Sequence, residues 1–349
     1  MRSPLTLRRV CVLWASCLWL TPALAQGRLP VAETPETNWQ PAGYLQSEMQ
    51  NHLLEGAEVL SPSPRADGNE QFWPDGSPVA PAELPEVPEE SGLPAYLQFR
   101  HDLAITWNAG SGDTLGIVDF DYRAIPSAKP KGSFAVGLSP GFGAHVLNGP
   151  QSTNLPGTLY DVSIDVQGMW VWNPKWTLYF GVSPSLYTDF HNTSSEAFRL
   201  PARVLAFWNY SETLQLAFGA VYFDRQDVSW LPAAGLIYTP NERAKLELLF
   251  PKPRILRRVH ASEDREGWVY LGGEFAGGSY AIERSSGLDD IATYSALRLL
   301  VGYERKRLRG GPVQRFEAGY VFNRTLRYAS GIGDYDLGGT AMLRVGVGF

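Results

Sequence analysis

The chain is poor in cysteine, and both cysteines lie near its start. Cys11 and Cys17 fall within residues 1–25, where three arginines precede an apolar run over 10–20 and an Ala-Leu-Ala sequence ends at Ala25. Basic residues, an apolar run and small residues at the cleavage positions predict a secretory signal peptide over 1–25. The mature chain would then contain no cysteine, which excludes disulfides and thiol chemistry.

Long apolar runs are also missing after residue 25. A transmembrane helix needs about 18 consecutive apolar residues or more, and no such run follows the predicted signal. A transmembrane β-strand alternates apolar and polar residues and needs only about 9–11 of them, so strands leave no such run. Membrane-spanning helices are therefore excluded, whereas membrane-spanning strands are not.

Positive charge is scarce in the segment that follows. Residues 26–94 carry twelve acidic and two basic residues and eleven prolines. A segment of this composition can bury little apolar surface, which predicts a disordered or extended periplasmic segment. It would serve as a spacer or would bind a periplasmic partner. Residues 95–349 carry a net charge of +1, and nucleic-acid binding would require a clustered basic surface.

The final strand of the chain alternates clearly. Leu343, Val345, Val347 and Phe349 share one face, and the opposite face is small or polar. An alternating last strand that ends in an aromatic residue is typical of outer-membrane β-barrels. We therefore interpret these four residues as a signal for the barrel-assembly machinery.

The same alternation recurs upstream and predicts an all-β fold, an up-and-down antiparallel transmembrane β-barrel over 95–349. Aromatic residues near the ends of the apolar rows and the length of several strands favour a barrel over a soluble periplasmic sandwich. The strand at 254–260 is polar, and twelve strands are the alternative to fourteen. The fourteen predicted strands are 97–107, 114–123, 133–146, 158–172, 175–188, 199–210, 213–225, 230–239, 243–250, 254–260, 267–283, 292–306, 313–328 and 338–349.

The connections support an even strand number. With both chain ends in the periplasm, the turns near 173–174, 211–212 and 240–241 face the periplasm and are short. The longer connections, such as 147–157 and 189–198, face outward. Loops 226–229 and 251–253 are predicted to be short although they face outward, so this agreement is incomplete.

Charged residues on the polar rows are predicted to line the lumen, because an arginine near the bilayer midplane would cost about 2–4 kcal/mol. One interpretation is a lumen of mutually compensating ions and water, and the alternative is a selectivity ring for a charged solute. Acids and bases balance, which predicts weak ion preference. The predicted lumen-lining residues are Asp161, Asp165, Arg203, Arg225, Glu247, Glu274, Arg298, Glu304, Glu317 and Arg344.

Candidate catalytic residues are few. Asp189 and His191 lie at an outward strand end near Ser194 and Ser195, where a hydrolase-like site could form. Polar loop residues of this kind are ordinary, so we expect no enzymatic activity. The histidines lack metal-ligand spacing, and we expect no metal and no cofactor.

Several short motifs resemble a family of bacterial outer-membrane β-barrel proteins defined by a domain of unknown function. The resemblance covers residues 95–349 and implies location and fold, but it carries over no activity and no site residue. The motifs are Ser139-Pro140-Gly141-Phe142-Gly143, Leu155-Pro156-Gly157, Asn173-Pro174-Lys175-Trp176, Leu231-Pro232-Ala233-Ala234-Gly235, Phe250-Pro251-Lys252-Pro253-Arg254 and Glu317-Ala318-Gly319-Tyr320-Val321-Phe322-Asn323-Arg324.

The sequence as a whole predicts an outer-membrane barrel in contact with lipid, acting as a passive porin-like channel for small solutes. The alternative is a closed structural barrel, with 26–94 tethering it to a periplasmic partner or plugging its lumen. An outer-membrane hydrolase is the third and weakest interpretation.

Overall fold

The structure is a computed structural model that describes residues 99–110, 114–126, 133–149, 151–307 and 311–349. The predicted signal peptide and the predicted disordered segment lie outside the described residues. Among the residues that are described, no helix is long and apolar enough to cross a membrane.

Fourteen antiparallel strands make up the described fold, and three of them are interrupted once. Strand bounds are β1 Phe99–Asn108, β2 Gly116–Pro126, β3 Phe134–Asn148, β4 Thr158–Asn173, β5 Trp176–Val182 with Ser185–Thr188, β6 Phe198–Arg199 with Ala202–Asn209, β7 Leu214–Tyr222, β8 Trp230–Asn241, β9 Ala244–Leu249, β10 Arg254–Ala261, β11 Arg265–Glu283, β12 Asp289–Arg307, β13 Val313–Tyr328, and β14 Tyr335–Leu337 with Thr340–Gly348. Short 3-10 turns lie at Gln151–Thr153 and Ser195–Ala197.

The sheet closes on itself. Each strand pairs with the next one along the chain, and β14 returns to pair with β1 from Asp102↔Gly348 to Asn108↔Met342. Closure removes the free edges of the sheet, which in a membrane would expose unsatisfied backbone groups. The predicted up-and-down barrel with fourteen strands is confirmed, and the twelve-stranded alternative is wrong because the polar segment Arg254–Ala261 pairs with both of its neighbours.

Apolar rows cover the outside of the barrel. Leu343 and Val345 of the last strand are 51% and 52% exposed. Met342 and Arg344, which alternate with them, are buried. The same alternation holds on β1, where Leu103, Ile105 and Trp107 are exposed. Period-two patterning therefore placed the two faces correctly along most of the wall.

The two ends of the barrel differ in their connections. At one end the turns are short, for example 174–175, 242–243 and 262–264, and we call it the short-turn end. The opposite end carries 149–157, 189–197 and 223–229, and we call it the long-loop end. The loop predicted at 226–229 is longer than expected, because β7 ends at Tyr222 rather than at Arg225.

Candidate functional site

Buried ion pairs link different strands across the inside of the barrel. Arg203 of β6 makes two hydrogen bonds to the carboxylate of Asp165 on β4, at 2.8 and 2.6 Å. The same guanidinium donates to the Tyr179 hydroxyl at 2.9 Å, and that hydroxyl donates to Gln167 Oε1 at 2.6 Å. Both partners of the ion pair are on inward rows, so their charges compensate each other inside the wall.

A second network surrounds Arg344 of β14. Its guanidinium donates to Glu274 of β11 at 3.1 Å and to Glu317 of β13 at 2.7 Å. Glu274 also accepts a hydrogen bond from Arg298 of β12 at 2.9 Å, and Tyr270 donates to Glu317 at 2.5 Å. One cation from the last strand thus ties together charges from three other strands.

The remaining predicted lumen residues are paired as well. Glu247 accepts a hydrogen bond from Arg254 at 2.6 Å and lies 2.7 Å from the Lys245 ammonium. Glu304 and Arg315 approach to 3.3 Å. These contacts place acids and bases beside each other rather than in a ring of one sign.

His145 was not singled out from the sequence, although it lies on an inward row of β3. Its Nδ1 is 2.9 Å from Asp119 and its Nε2 is 2.7 Å from Asp161. The edge of its ring also meets Tyr280 of β11 at 5.5 Å between centroids. A sequence signal could have found it: His145 lies on the same face of β3 as Gly141 and Gly143, and glycines leave room for large neighbouring side chains.

The interior is packed. Asp165, Glu247 and Arg344 are 0%, 1% and 3% exposed, although each lies on an inward row. Side chains that line a water-filled pore stay in contact with water. Buried apolar side chains fill the spaces between the ion pairs on β4 to β9, and they are Met169, Tyr179, Leu205, Phe207, Ala217, Val221, Ala233, Ile237 and Leu249.

Two opposite parts of the wall meet at the long-loop end. Thr188 at the end of β5 pairs with Ala281 of β11, and the Asp189 amide donates to the Ala281 carbonyl at 3.2 Å. The Asp189 carboxylate accepts the backbone N–H of Glu283 at 2.8 Å. The side-chain amide of Asn192 donates to the backbone carbonyl of Ile282 at 3.3 Å. Strands β6 to β10 separate β5 from β11 along the ring. We call this contact between 188–192 and 281–283 the latch.

The far halves of β11 and β12 do not continue the lipid-facing wall. On β11, Val269 and Leu271 are exposed, but Ser279 and Ala281 of the same row are buried. The other row of this half contributes Tyr280 and Ile282 to an apolar cluster. Both faces of β11 are therefore buried beyond Gly277, which has φ +118°. We call the part of β11 and β12 beyond Gly277 and Ser295 the roof.

An apolar cluster fills the space on one side of the roof. Arg324 of β13 is 0% exposed beside it and donates to the carbonyls of Leu115 and Gly338 and to the Tyr294 hydroxyl. The buried members of the cluster come from β2, β4 and β11 to β14, with one residue before β2, and they are Leu115, Ile117, Leu159, Tyr280, Ile282, Ala292, Leu326, Tyr328 and Leu337.

Arg225 lies on the other side of the roof. The alternation of the sequence predicted it on a lumen-facing row of the seventh strand, but the structure has it in the connection 223–229. There it makes two hydrogen bonds to Asp227, at 2.9 and 2.8 Å, and donates to the Tyr294 carbonyl at 3.0 Å and to Ser295 Oγ at 2.5 Å. This connection therefore folds over the barrel and is bonded to β12.

The residues of the hydrolase alternative are placed differently from a catalytic pair. The Asp189 carboxylate accepts the backbone N–H groups of His191 and Asn192, both at 2.9 Å. The His191 ring is 3.9 Å from that carboxylate and its side chain is 73% exposed. Within the described ranges, no group of three or more histidine, cysteine or acidic residues is arranged to hold a metal ion.

The predicted assembly-signal residues lie along the closing seam. Leu343, Val345 and Phe349 are exposed on the outer face. Phe349 exchanges two backbone hydrogen bonds with His101 of β1, at 2.8 and 2.9 Å, and the two rings lie 5.6 Å apart.

A closed antiparallel barrel with an apolar exterior and a charged interior has the construction of a transmembrane β-barrel. The chain belongs to the family described as a domain of unknown function (DUF6268), whose model matches residues 144–331. The family resemblance expected from the motifs is thereby confirmed. No curated protein matches the chain.

Solved structures show only a distant similarity. A NanC porin is 13% identical, with 71% of this chain and 98% of that chain covered and a TM-score of 0.32. A bacterial polysaccharide outer membrane secretin is 10% identical, with 73% and 99% covered and a TM-score of 0.34. OccK3 of Pseudomonas aeruginosa is 8% identical, with 72% and 94% covered and a TM-score of 0.27. At these values the similarity carries no argument about this chain.

Proposed function

We propose that the protein is a porin-type barrel of the bacterial outer membrane whose solute path is closed by the roof. The observation that carries the proposal is the latch, which bonds β5 to β11 across the long-loop end of a fully closed ring. The apolar exterior supports contact with lipid, and the alternating strands support insertion by the barrel-assembly machinery. Solutes would pass when the latch opens and the roof, together with the packed side chains below it, moves away from 188–192.

The paired charges inside the barrel favour a small solute without strong charge selectivity. Arg203 with Asp165 and Arg344 with Glu274 and Glu317 present no surplus of one sign. A ring of like charges would be needed to select an ion strongly. We therefore propose a passive conduit with a mixed-charge lumen.

Single-channel conductance in planar bilayers tests the proposal. Asp189→Ala removes the carboxylate that bonds Glu283, and hydrogen bonds to a charged group contribute about 1.5–3 kcal/mol, so the open population should rise at least about tenfold. His191→Ala is the matched control, because its exposed side chain is adjacent and its backbone N–H remains. A Thr188→Cys/Ala281→Cys pair should form a disulfide that abolishes the openings under oxidation and restores them on reduction.

A closed structural barrel is the second candidate, and the packed interior favours it. In that case wild type and Asp189→Ala would both stay silent in the bilayer while remaining folded. Under this proposal residues 26–94 would tether the barrel to a periplasmic partner.

A further inference from the structure

Between β8 and β11, the wall of the barrel ends before it reaches the long-loop end. β9 and β10 are short, and their connection 250–253 lies level with Gly235 of β8 and Gly272 of β11. β8 continues past this level to Trp230, and β11 continues to Glu283. We call the gap the wall window. It is bounded by β8, by 250–253, by β11 and by the latch.

Both sides of the wall window are strand edges. On the side of β8 that faces the window, no described strand pairs with residues before Ala234. On the facing side of β11, no described strand pairs with Phe275 to Tyr280. The Phe250 amide donates to the Ala234 carbonyl, so Pro232, two residues earlier, also directs its backbone toward the window. Proline has no N–H to donate and suits an unpaired edge.

The wall window opens at the depth of the hydrocarbon core. Strands rise about 3.3 Å per residue and tilt about 40°, so β9 lifts the connection 250–253 roughly 15 Å above the short-turn end. Trp172 near that end is 63% exposed, and Trp230 beside the window is 65% exposed. Apolar surface is therefore present both below and beside the opening, and Gly277 on its β11 side is exposed as well.

The lining combines aromatic rings with polar backbone. Phe223 and Phe275 meet edge to face at 6.1 Å, and Phe223 packs against the apolar cluster inside the barrel. The connection 223–229 reaches β11 at two points: the Arg225 guanidinium lies 4.9 Å from the centre of the Phe275 ring, and the Gln226 backbone N–H donates to Ser279 Oγ at 3.4 Å. Backbone N–H and C=O groups that face hydrocarbon without a partner cost several kcal/mol each, so a polar head group placed at such an edge would be stabilised.

We infer that the wall window admits a single-chain amphiphile from the bilayer, with its polar head at the strand edges and its tail against Phe223 and Phe275. A head group supplies hydrogen-bond partners at the edges, and an alkyl chain matches both the rings and the surrounding lipid. This inference rests on the proposed location in the membrane. It does not require the latch to open, because the window lies below the latch.

Photolabelling of the full chain in phospholipid vesicles tests the inference. The probe is palmitic acid carrying a diazirine at the end of its chain. Adducts should appear at 223–229, 250–253 and 274–280, and excess palmitic acid should suppress them while leaving adducts on the lipid-facing row of Leu299 and Val301. Phe275→Ala should lower window labelling about tenfold through the lost aromatic contacts, and Leu299→Ala, the matched control, should leave it unchanged.

The outcomes separate this inference from the proposed function. Labelling of Leu299 and Val301 without saturable labelling of the window would overturn the inference and leave the membrane barrel intact. Absence of labelling on that lipid-facing row would instead contradict the membrane location. Oxidation of the Thr188→Cys/Ala281→Cys pair should leave labelling of the wall window unchanged. Loss of this labelling on oxidation would contradict the inference, because it would show that the probe enters through the roof.

Discussion

At the scale of single residues, the interior depends on charges that are buried only in pairs. Asp165 and Arg203 illustrate this, because their side chains are 0% and 5% exposed. Removing one partner of a buried pair leaves an uncompensated charge, whereas replacing both by apolar groups can be neutral. The pair therefore links β4 and β6 through the interior, in addition to the backbone bonds that each strand makes with β5.

Asp165→Ala should destabilise the barrel by about 3–5 kcal/mol, because it leaves Arg203 buried without its carboxylate. Urea unfolding in detergent micelles measures the free energy of unfolding. The double variant Asp165→Leu/Arg203→Met is the control and should recover most of the loss. A loss within about 1 kcal/mol for Asp165→Ala would mean that the pair behaves like a solvated surface pair.

At the scale of elements, β11 and β12 each consist of two parts with different surroundings. The part of β11 before Gly277 and the part of β12 after Ser295 belong to the lipid-facing wall, and the part of β11 after Gly277 and the part of β12 before Ser295 form the roof. Side chains on one row of β12 therefore pass from exposed at Val301 to buried at Thr293, which is 1% exposed. Polar and small residues on that row suit a face covered by protein rather than by lipid.

Labelling with a lipid-soluble pyrene maleimide should distinguish the two halves. Val301→Cys should react in vesicles because it faces lipid, and Thr293→Cys should not, because the connection 223–229 and Ser279 cover this face. Both positions lie on the same row of one strand, so each controls for the other. Equal reaction rates would mean that the roof part of β12 also faces the bilayer.

At the scale of the whole molecule, the hydrogen-bonded ring is complete within the described residues. β1 pairs with β14 over Asp102 to Asn108, and the latch and the roof are formed by β5, β11 and β12. Neither closure of the ring nor closure of its long-loop end requires a strand from residues 26–94. This separates the barrel from any tethering role of that segment.

Deletion of residues 26–94 should leave a folded barrel. Heat-modifiable migration on gels and the β-sheet circular dichroism should match the full chain, since the ring contains all of its strand pairs. Conductance should also stay low, because the roof remains. Large steady conductance on deletion would support the plugging role considered for this segment and would contradict closure by the roof.

Much of the wall could be predicted from the sequence, because its signal is local. Alternation with period two depends on adjacent residues alone, so it located the strands and the outer face, as at Leu343 and Val345. The interior was less accessible, because its partners are distant in the chain. Arg203 is 38 residues from Asp165, and Asn192 is 90 residues from Ile282. Arg225 was assigned to a strand because its parity fits, although the chain had already left the sheet.

The order of apolar and polar residues by itself determined the class of fold and the surface offered to lipid, because a closed sheet between lipid and an enclosed interior must alternate. It left twelve and fourteen strands open, and the pairing of Arg254–Ala261 decided for fourteen. Only the tertiary structure decided that the interior is packed, that Asp189 bonds opposite walls and that the short β9 and β10 leave a gap beside β11. These features arise from strand length and tilt around a closed ring, and no local pattern records where the two sides of that ring will meet.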